Sequence, residues 1–205
     1  RDSISPGQTT TANITAKSLT VSGITASDKI YDGSTSATLD PSLVVYSGLV
    51  TGDTFDGTYT GVFSDANVAS GKTVTITPSY SGADVNNYTV TDQSSTTADI
   101  SAKALTATAS ASNKTYDGGT TASTTLTFTG LVGTETLGQT VGSTFDNKNV
   151  GSNKTVTVNS ITLADGSGLA ANYSISAGQT TTANITAKSL TVSGITASNK
   201  TYDGN

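Results

Sequence analysis

Residues Gly7 to Ser27 read GQTTTANITAKSLTVSGITAS, and Gly178 to Ser198 read the same 21 residues again, at an offset of 171. A third, diverged copy lies between them. Tyr31-Asp32-Gly33 returns as Tyr116-Asp117-Gly118 and as Tyr202-Asp203-Gly204, at intervals of 85 and 86 residues. Self-similarity at a fixed period marks a repeated structural unit. The interiors agree as well. Gly48-Leu49-Val50 corresponds to Gly130-Leu131-Val132. Phe63, Asn67-Val68 and Gly71-Lys72-Thr73-Val74 correspond to Phe145, Asn149-Val150 and Asn153-Lys154-Thr155-Val156, and Asn87-Tyr88 to Asn172-Tyr173. The expected layout is the terminal strand of a preceding module over 1–16, complete modules over 17–102 and 103–187, and the start of a third over 188–205.

Within a module the apolar residues alternate with polar ones, the period of a half-buried strand. Leu19 and Val21 flank Thr20; Val74 and Ile76 sit inside Thr-Val-Thr-Ile-Thr; Tyr88 precedes Val90 by two. The intervening positions are mostly Ser or Thr. One residue in five is Thr, a β-branched side chain that favours extended backbone and solvates an outer face without charge. No segment carries a helical apolar stripe. About seven short strands in some 85 residues imply an all-β module, a small immunoglobulin-like β-sandwich stacked in tandem. The alternative is a β-grasp-like module with one short helix. Leu19, Val21, Tyr31, Tyr46, Phe63, Val74, Ile76 and Tyr88 are the expected core. Asp-Gly in the Tyr-Asp-Gly motif suits a two-residue hairpin turn, with the tyrosine plugging one end of the core. Gly52-Asp53-Thr54 becomes Thr134-Glu135-Thr136 in the second copy, so a turn relying on Gly52 must be built differently there.

Composition narrows the function. Charged residues are 12% of the chain and the net charge is −5, a poor match to a phosphate backbone. No apolar run approaches the length that crosses a bilayer. His and Cys are absent and Glu135 is the one Glu. The chain therefore lacks the usual general base, thiol nucleophile and zinc ligands, and no enzyme is expected. Carboxylates at turns are the candidates for a metal, calcium being the ion that takes oxygen ligands: Asp32, Asp53 and Asp65, with Asp117, Glu135 and Asp146 opposite them. The competing reading is that these acids cap turns. Lys72 and Lys154 recur beside Asn67 and Asn149, the pairing of an intramolecular isopeptide bond; the plainer reading is an exposed lysine guarding a sheet edge. Tyr59 and Tyr80 are candidate sugar platforms, although Tyr59 becomes Val141 in the second copy.

Taken together, the Lys-Ile-Tyr-Asp-Gly stretch (29–33), the Gly-Leu-Val segment, the Asn-Val…Gly-Lys-Thr-Val segment, the Asn-Tyr close and the Ile-Ser-Ala-Lys-Ala-Leu-Thr junction (100–106) resemble the YDG repeat and the related MBG repeat. Such repeats occur in tandem in large bacterial surface adhesins similar to filamentous haemagglutinins exported by two-partner secretion. The resemblance implies a secreted or cell-surface protein whose repeats form the stalk of an adhesin or a biofilm-matrix fibre. It brings no catalytic residues and no cofactor. Two other roles remain open: a multivalent weak glycan receptor, and a filament subunit assembling by strand exchange. The expected partners are neighbouring repeats, identical chains in a fibre, or a host or matrix glycan, with neither nucleic acid nor membrane insertion.

Overall fold

The computed structural model describes Gly7 and residues 9–205, and every secondary-structure element in it is a strand or a three-residue 3-10 turn. Two compact units emerge. Unit 1 runs to Lys103 and takes in Ala171–Tyr173; unit 2 comprises Ala104–Ala170 and Ser174–Asn205.

Among its described residues unit 1 contains ten strands: β1 (Lys17–Ser22), β2 (Thr25–Ala26), β3 (Lys29–Ile30), β4 (Ser36–Ala37), β5 (Leu39–Asp40), β6 (Val45–Ser47), β7 (Asp56–Phe63), β8 (Ala69–Ser81), β9 (Tyr88–Thr91) and β10 (Ser95–Ser101). They form a three-stranded sheet, β6-β1-β9, a five-stranded sheet, β3-β10-β8-β7-β4, and the small pair β2-β5. Leu19 and Val21 from the smaller sheet meet Ile76 from the larger one, with Ile24, Phe55 and Tyr88 completing the cluster. Two sheets facing one apolar layer make a sandwich. Lys29 Nζ lies 3.2 Å from the Ser36 carbonyl, although β3 and β4 are opposite edges of the larger sheet. One lysine cannot span the roughly 19 Å between the edges of a flat five-stranded sheet, so this sheet is curled almost into a barrel.

Period-two patterning explains the longest strand. Along β8, Lys72, Val74 and Ile76 turn inward and are buried, while Thr73, Thr75 and Thr77 face water. Seven of the eight expected core residues are buried, and Tyr46 is half-buried beside Phe55. Phe55, Ile24 and Ile100 belong to the core too.

Unit 2 repeats the plan. Its strands are β12 (Thr106–Ala111), β13 (Lys114–Thr115), β14 (Thr121–Ala122), β15 (Thr124–Thr129), β16 (Leu137–Phe145), β17 (Gly151–Asp165) and β19 (Thr180–Thr186), while β11 (Lys103–Ala104) and β18 (Tyr173–Ser174) each fall at a chain boundary of the two units. The five-stranded order β13-β19-β17-β16-β14 matches its counterpart strand for strand. Phe145, Val156, Ala183 and Ile185 occupy the positions of Phe63, Val74, Ala98 and Ile100. The short helix of the β-grasp alternative is replaced by the 3-10 turns Val85–Asn87 and Ala170–Asn172.

Three local differences between the copies follow from single residues. Gly52 sits at φ +100 in the turn closed by Asp53 N–H donating to Val50 O; in the second copy the glycine is Gly133, one position earlier, at φ +54, and Glu135 N–H donates to Val132 O. The same reversal is made with the positive φ at the third turn residue in one case and the second in the other. Gly71 and its counterpart Asn153 both adopt positive φ, and each N–H is held by a side chain, Asp99 or Asn184. A Cβ on Gly61 would lie 2.9 Å from Leu39. At the equivalent place in unit 2, Ser143 is buried and hydrogen-bonded to Thr124 at 2.7 Å. A large residue facing glycine in one copy has become two medium ones in the other.

The terminal copies carry the repeat's sequence without its strands among the described residues. Residues 1–6 and 8 of the terminal strand expected over 1–16 lie outside the described residues, and Thr9–Ala16 form no strand. Yet Thr9–Thr15 has the same sequence as β19: Ile14 is fully exposed where Ile185 is 1% exposed. Likewise Leu190 is 88% exposed, and Leu19, in the same 11-residue context, is 0% exposed. The difference lies in the partner sheet, because a strand this short has no independent stability.

Candidate functional site

The Tyr-Asp-Gly segment does not form the expected two-residue hairpin. It joins β3 to β4, strands that pair with β10 and β7 and not with each other. Asp32 accepts from Ser34 N–H at 2.8 Å, and only the following Gly33 has positive φ. The carboxylate also pairs with Lys29 Nζ at 2.8 Å. That ammonium is fully engaged: it donates to the Ser34 carbonyl at 2.8 Å and to the Ser36 carbonyl, and it lies 5.6 Å from the Phe63 ring centre. The Lys29 ammonium and the Ser34 N–H together lower the Asp32 carboxyl to about 2. Unit 2 reproduces the clamp with Lys114, Asp117, Gly119, Thr121 and Phe145, and Lys200 pairs with Asp203 in the third copy. Tyr31 is buried, as a plug would be.

A second lysine–carboxylate pair recurs on the central strands. Lys72 Nζ meets Asp65 at 2.8 Å, and Lys154 Nζ meets Asp146 at 2.9 Å and Asn147 at 2.7 Å. These lysines are not exposed guardians of an edge. Both side chains are under 10% exposed and lie on β8 and β17, the middle strands of their sheets. Their stems line the core while the ammonium reaches the rim. Asn67, the expected isopeptide partner, instead accepts a hydrogen bond from Asn172 Nδ2.

The structure scatters the six calcium candidates. Asp32, Asp65, Asp117 and Asp146 each hold a lysine ammonium, which lowers each carboxyl below the usual range. Asp53 accepts the Tyr88 hydroxyl at 2.5 Å. Glu135 stands at the matching turn of unit 2, its carboxylate against Gly168. Among the described residues no three carboxylates gather around one point.

Tyr59 and Tyr80 are not exposed platforms. Both are half-buried in an aromatic cluster with Tyr46, Phe55 and Tyr88. Tyr46 and Tyr59 share a hydrogen bond of 3.0 Å between hydroxyls, and Tyr80 donates to Asp92 at 2.6 Å. Burial first, and these bonds second, push the Tyr59 and Tyr80 hydroxyls well above the ordinary tyrosine range.

Two features escaped sequence reasoning. Gln93 holds both the N–H and the carbonyl of Ile24, at 2.9 and 2.7 Å, and Gln139 does the same for Leu126 at 3.0 and 2.7 Å. A primary amide thus replaces a missing strand neighbour, and nothing in the pattern announces it. Asn172 is 1% exposed inside unit 1, accepting from Val68 N–H at 2.9 Å and donating to Asn67 Oδ1 at 3.0 Å. The repeated Asn-Tyr pair was the available signal.

A family model described as the YDG domain matches residues 15–98 and again residues 101–183. No curated protein and no solved structure matches the chain. The two matches cover most of its length and coincide with the repeated sandwiches: the chain belongs to the YDG-domain family, as two tandem copies.

Proposed function

We propose that this chain is a load-bearing spacer, part of the stalk of a secreted or cell-surface bacterial adhesin or matrix fibre. The observation that carries the reading is the direction of the terminal strands in each unit. In unit 1, β3 pairs in parallel with β10, Lys29 opposite Ile100, and Tyr31 N–H extends the ladder to Ser101 O at 2.9 Å. The first strand, β1, pairs in parallel with β9 over four residues. In unit 2, β13 pairs in parallel with β19, and Tyr116 N–H extends that ladder to Thr186 O at 2.8 Å. When early and late strands run parallel, tension between the ends of a unit shears their hydrogen bonds together. An antiparallel arrangement would let them open one at a time.

This role needs no catalysis, cofactor or calcium, and its partners are neighbouring repeats of the same kind. The carboxylates then serve as turn caps and lysine partners. A glycan receptor on each module is the weaker reading, because the aromatic cluster of unit 1 is internal and Tyr59 is replaced by Val141 in unit 2. Exposing the folded chain to a broad glycan array and to intact cells, with and without calcium, separates the two. A spacer gives no saturable signal; dose-dependent binding to one glycan class overturns the reading.

A further inference from the structure

We infer that unit 2 carries a third strand held open by a side-chain latch: Ser174–Ala177 zips in parallel onto the free edge of β12, and Gln179 holds it off. The pattern it would complete is present within unit 1. There β9 runs parallel to β1, with Leu19 opposite Val90 and Thr20 opposite Thr91, so the smaller sheet has three strands. In unit 2 the equivalent sheet is β12 and β15 alone. Its parallel ladder has begun, since Leu105 N–H, the counterpart of Leu19, donates to Ser174 O at 2.8 Å. It goes no further, and residues 175–179 form no strand. Between Thr106–Ala107 and this segment lies a groove of about 530 Å³.

Chain length does not cause the gap. Seven positions separate Tyr88 from Ser95, where β10 begins, and seven separate Tyr173 from Thr180, where β19 begins. Two side chains make the difference. In unit 1 the fifth residue after the tyrosine is Gln93, whose amide ties the segment following β9 to Ile24 N–H and O. In unit 2 that position is Gly178, at φ +114, and its N–H donates to Val158 O at 2.9 Å. The next residue supplies the latch. Gln179 Nε2 donates to Ser176 O at 2.8 Å. Backbone groups of a strand point alternately to its two sides, so Ala107 N–H faces the groove as Leu105 N–H does. In the register of unit 1 its acceptor is Ser176 O, the carbonyl that Gln179 occupies. The latch is imperfect, because Gln179 Oε1 is buried without a partner among the described residues, a cost removed when the amide swings out to water. Zipping would also bring half-buried Ile175 to the place that Val90 takes in unit 1. Unit 2 thus has a slack and a tight form of its smaller sheet, whether or not the chain bears load.

Amide hydrogen exchange on the isotope-labelled full chain, read by NMR, tests the latch. In the unaltered chain the Ala107 amide should exchange at least about tenfold faster than the Thr108 amide, which faces β15, as expected for one missing hydrogen bond. Gln179→Ala removes the latch. Gly178→Gln restores the residue of unit 1 and removes the glycine that the open path needs; a side chain there meets open space, so the change acts through the positive φ. In both variants Ala107 exchange should slow by about tenfold, a nuclear Overhauser contact between Ala107 and Ser176 should appear, and Thr108 should stay protected. An Ala107 amide as protected as Thr108 in the unaltered chain, or one that does not slow in either variant while Thr108 stays protected, overturns the inference.

Discussion

Leu19 and Leu190 occupy the same place in the same 11-residue sequence, Lys-Ser-Leu-Thr-Val-Ser-Gly-Ile-Thr-Ala-Ser, so local propensity cannot distinguish them. Their surroundings can, since one is 0% and the other 88% exposed. Leu19→Ala removes three buried carbons, about 2.4 kcal/mol of transfer free energy at roughly 0.8 kcal/mol each. A cavity term adds to this, because Ile76 and Tyr88 are held by their own strands, and Tyr88 also by its hydrogen bonds, and cannot collapse inward. The expected cost is about 4 kcal/mol, within the roughly 2.7–5 kcal/mol range of buried Leu→Ala changes. A module of this size has on the order of 4–13 kcal/mol in total, so unit 1 loses a large part of its stability. With a urea slope of roughly 1 kcal/mol/M the midpoint falls by about 4 M, or folding is lost. Leu190→Ala should stay within about 0.5 kcal/mol of the parent. The chain has no Trp, and Tyr46, Tyr59, Tyr80 and Tyr88 cluster in unit 1, so tyrosine fluorescence during urea unfolding reports on the right unit. Equal midpoint shifts for the two substitutions, or a negligible one at Leu19, would refute the sandwich core.

Three further outcomes are expected. Gly61→Ser alone should destabilise unit 1 by roughly 1–3 kcal/mol through the clash with Leu39; pairing it with Leu39→Thr should recover part of the loss, and a double-mutant cycle with no coupling would contradict the compensation. The Asp32 carboxyl is lowered to about 2 in the folded chain, from an ordinary 3.8, so the stability it contributes is complete above about pH 4 and is lost as pH falls toward 2; NMR titration of Asp32 with a midpoint near 4 would contradict the clamp. Tyr59 and Tyr80 are raised, so their contribution is complete below the ordinary tyrosine range near pH 10 and is lost as pH rises beyond it. Ultraviolet titration should show Tyr59 and Tyr80 ionising only as unit 1 opens; their ionisation in the folded chain near the ordinary tyrosine value of about 10 would count against the cluster.

Most of the fold was legible because its information is periodic. Val74 and Ile76 alternate with threonines, the pattern recurs at Val156 and Val158, and together these fix strands, faces and copies. What was not legible depends on contacts distant in sequence. Lys72 looks like a surface lysine until β8 is found between β7 and β10. Asp32-Gly33 looks like a hairpin turn until its flanking strands are found to pair elsewhere. Tyr59 and Tyr80 look like exposed aromatics until Phe55 is placed between Tyr46 and Tyr80. The terminal copies show the same limit from the other side, since identical residues are a strand at 180–186 and none at 9–15. The site was less legible than the fold, because Asn172 acts on residues more than a hundred positions away.

Pulling the chain by its ends in a single-molecule force experiment tests the spacer claim most directly. Two unfolding events are expected, each releasing on the order of 300 Å of chain for a repeat of about 84 residues, at forces that mark shearing of the parallel strand pairs. A featureless extension, or a single event spanning both repeats, would contradict two load-bearing modules in tandem.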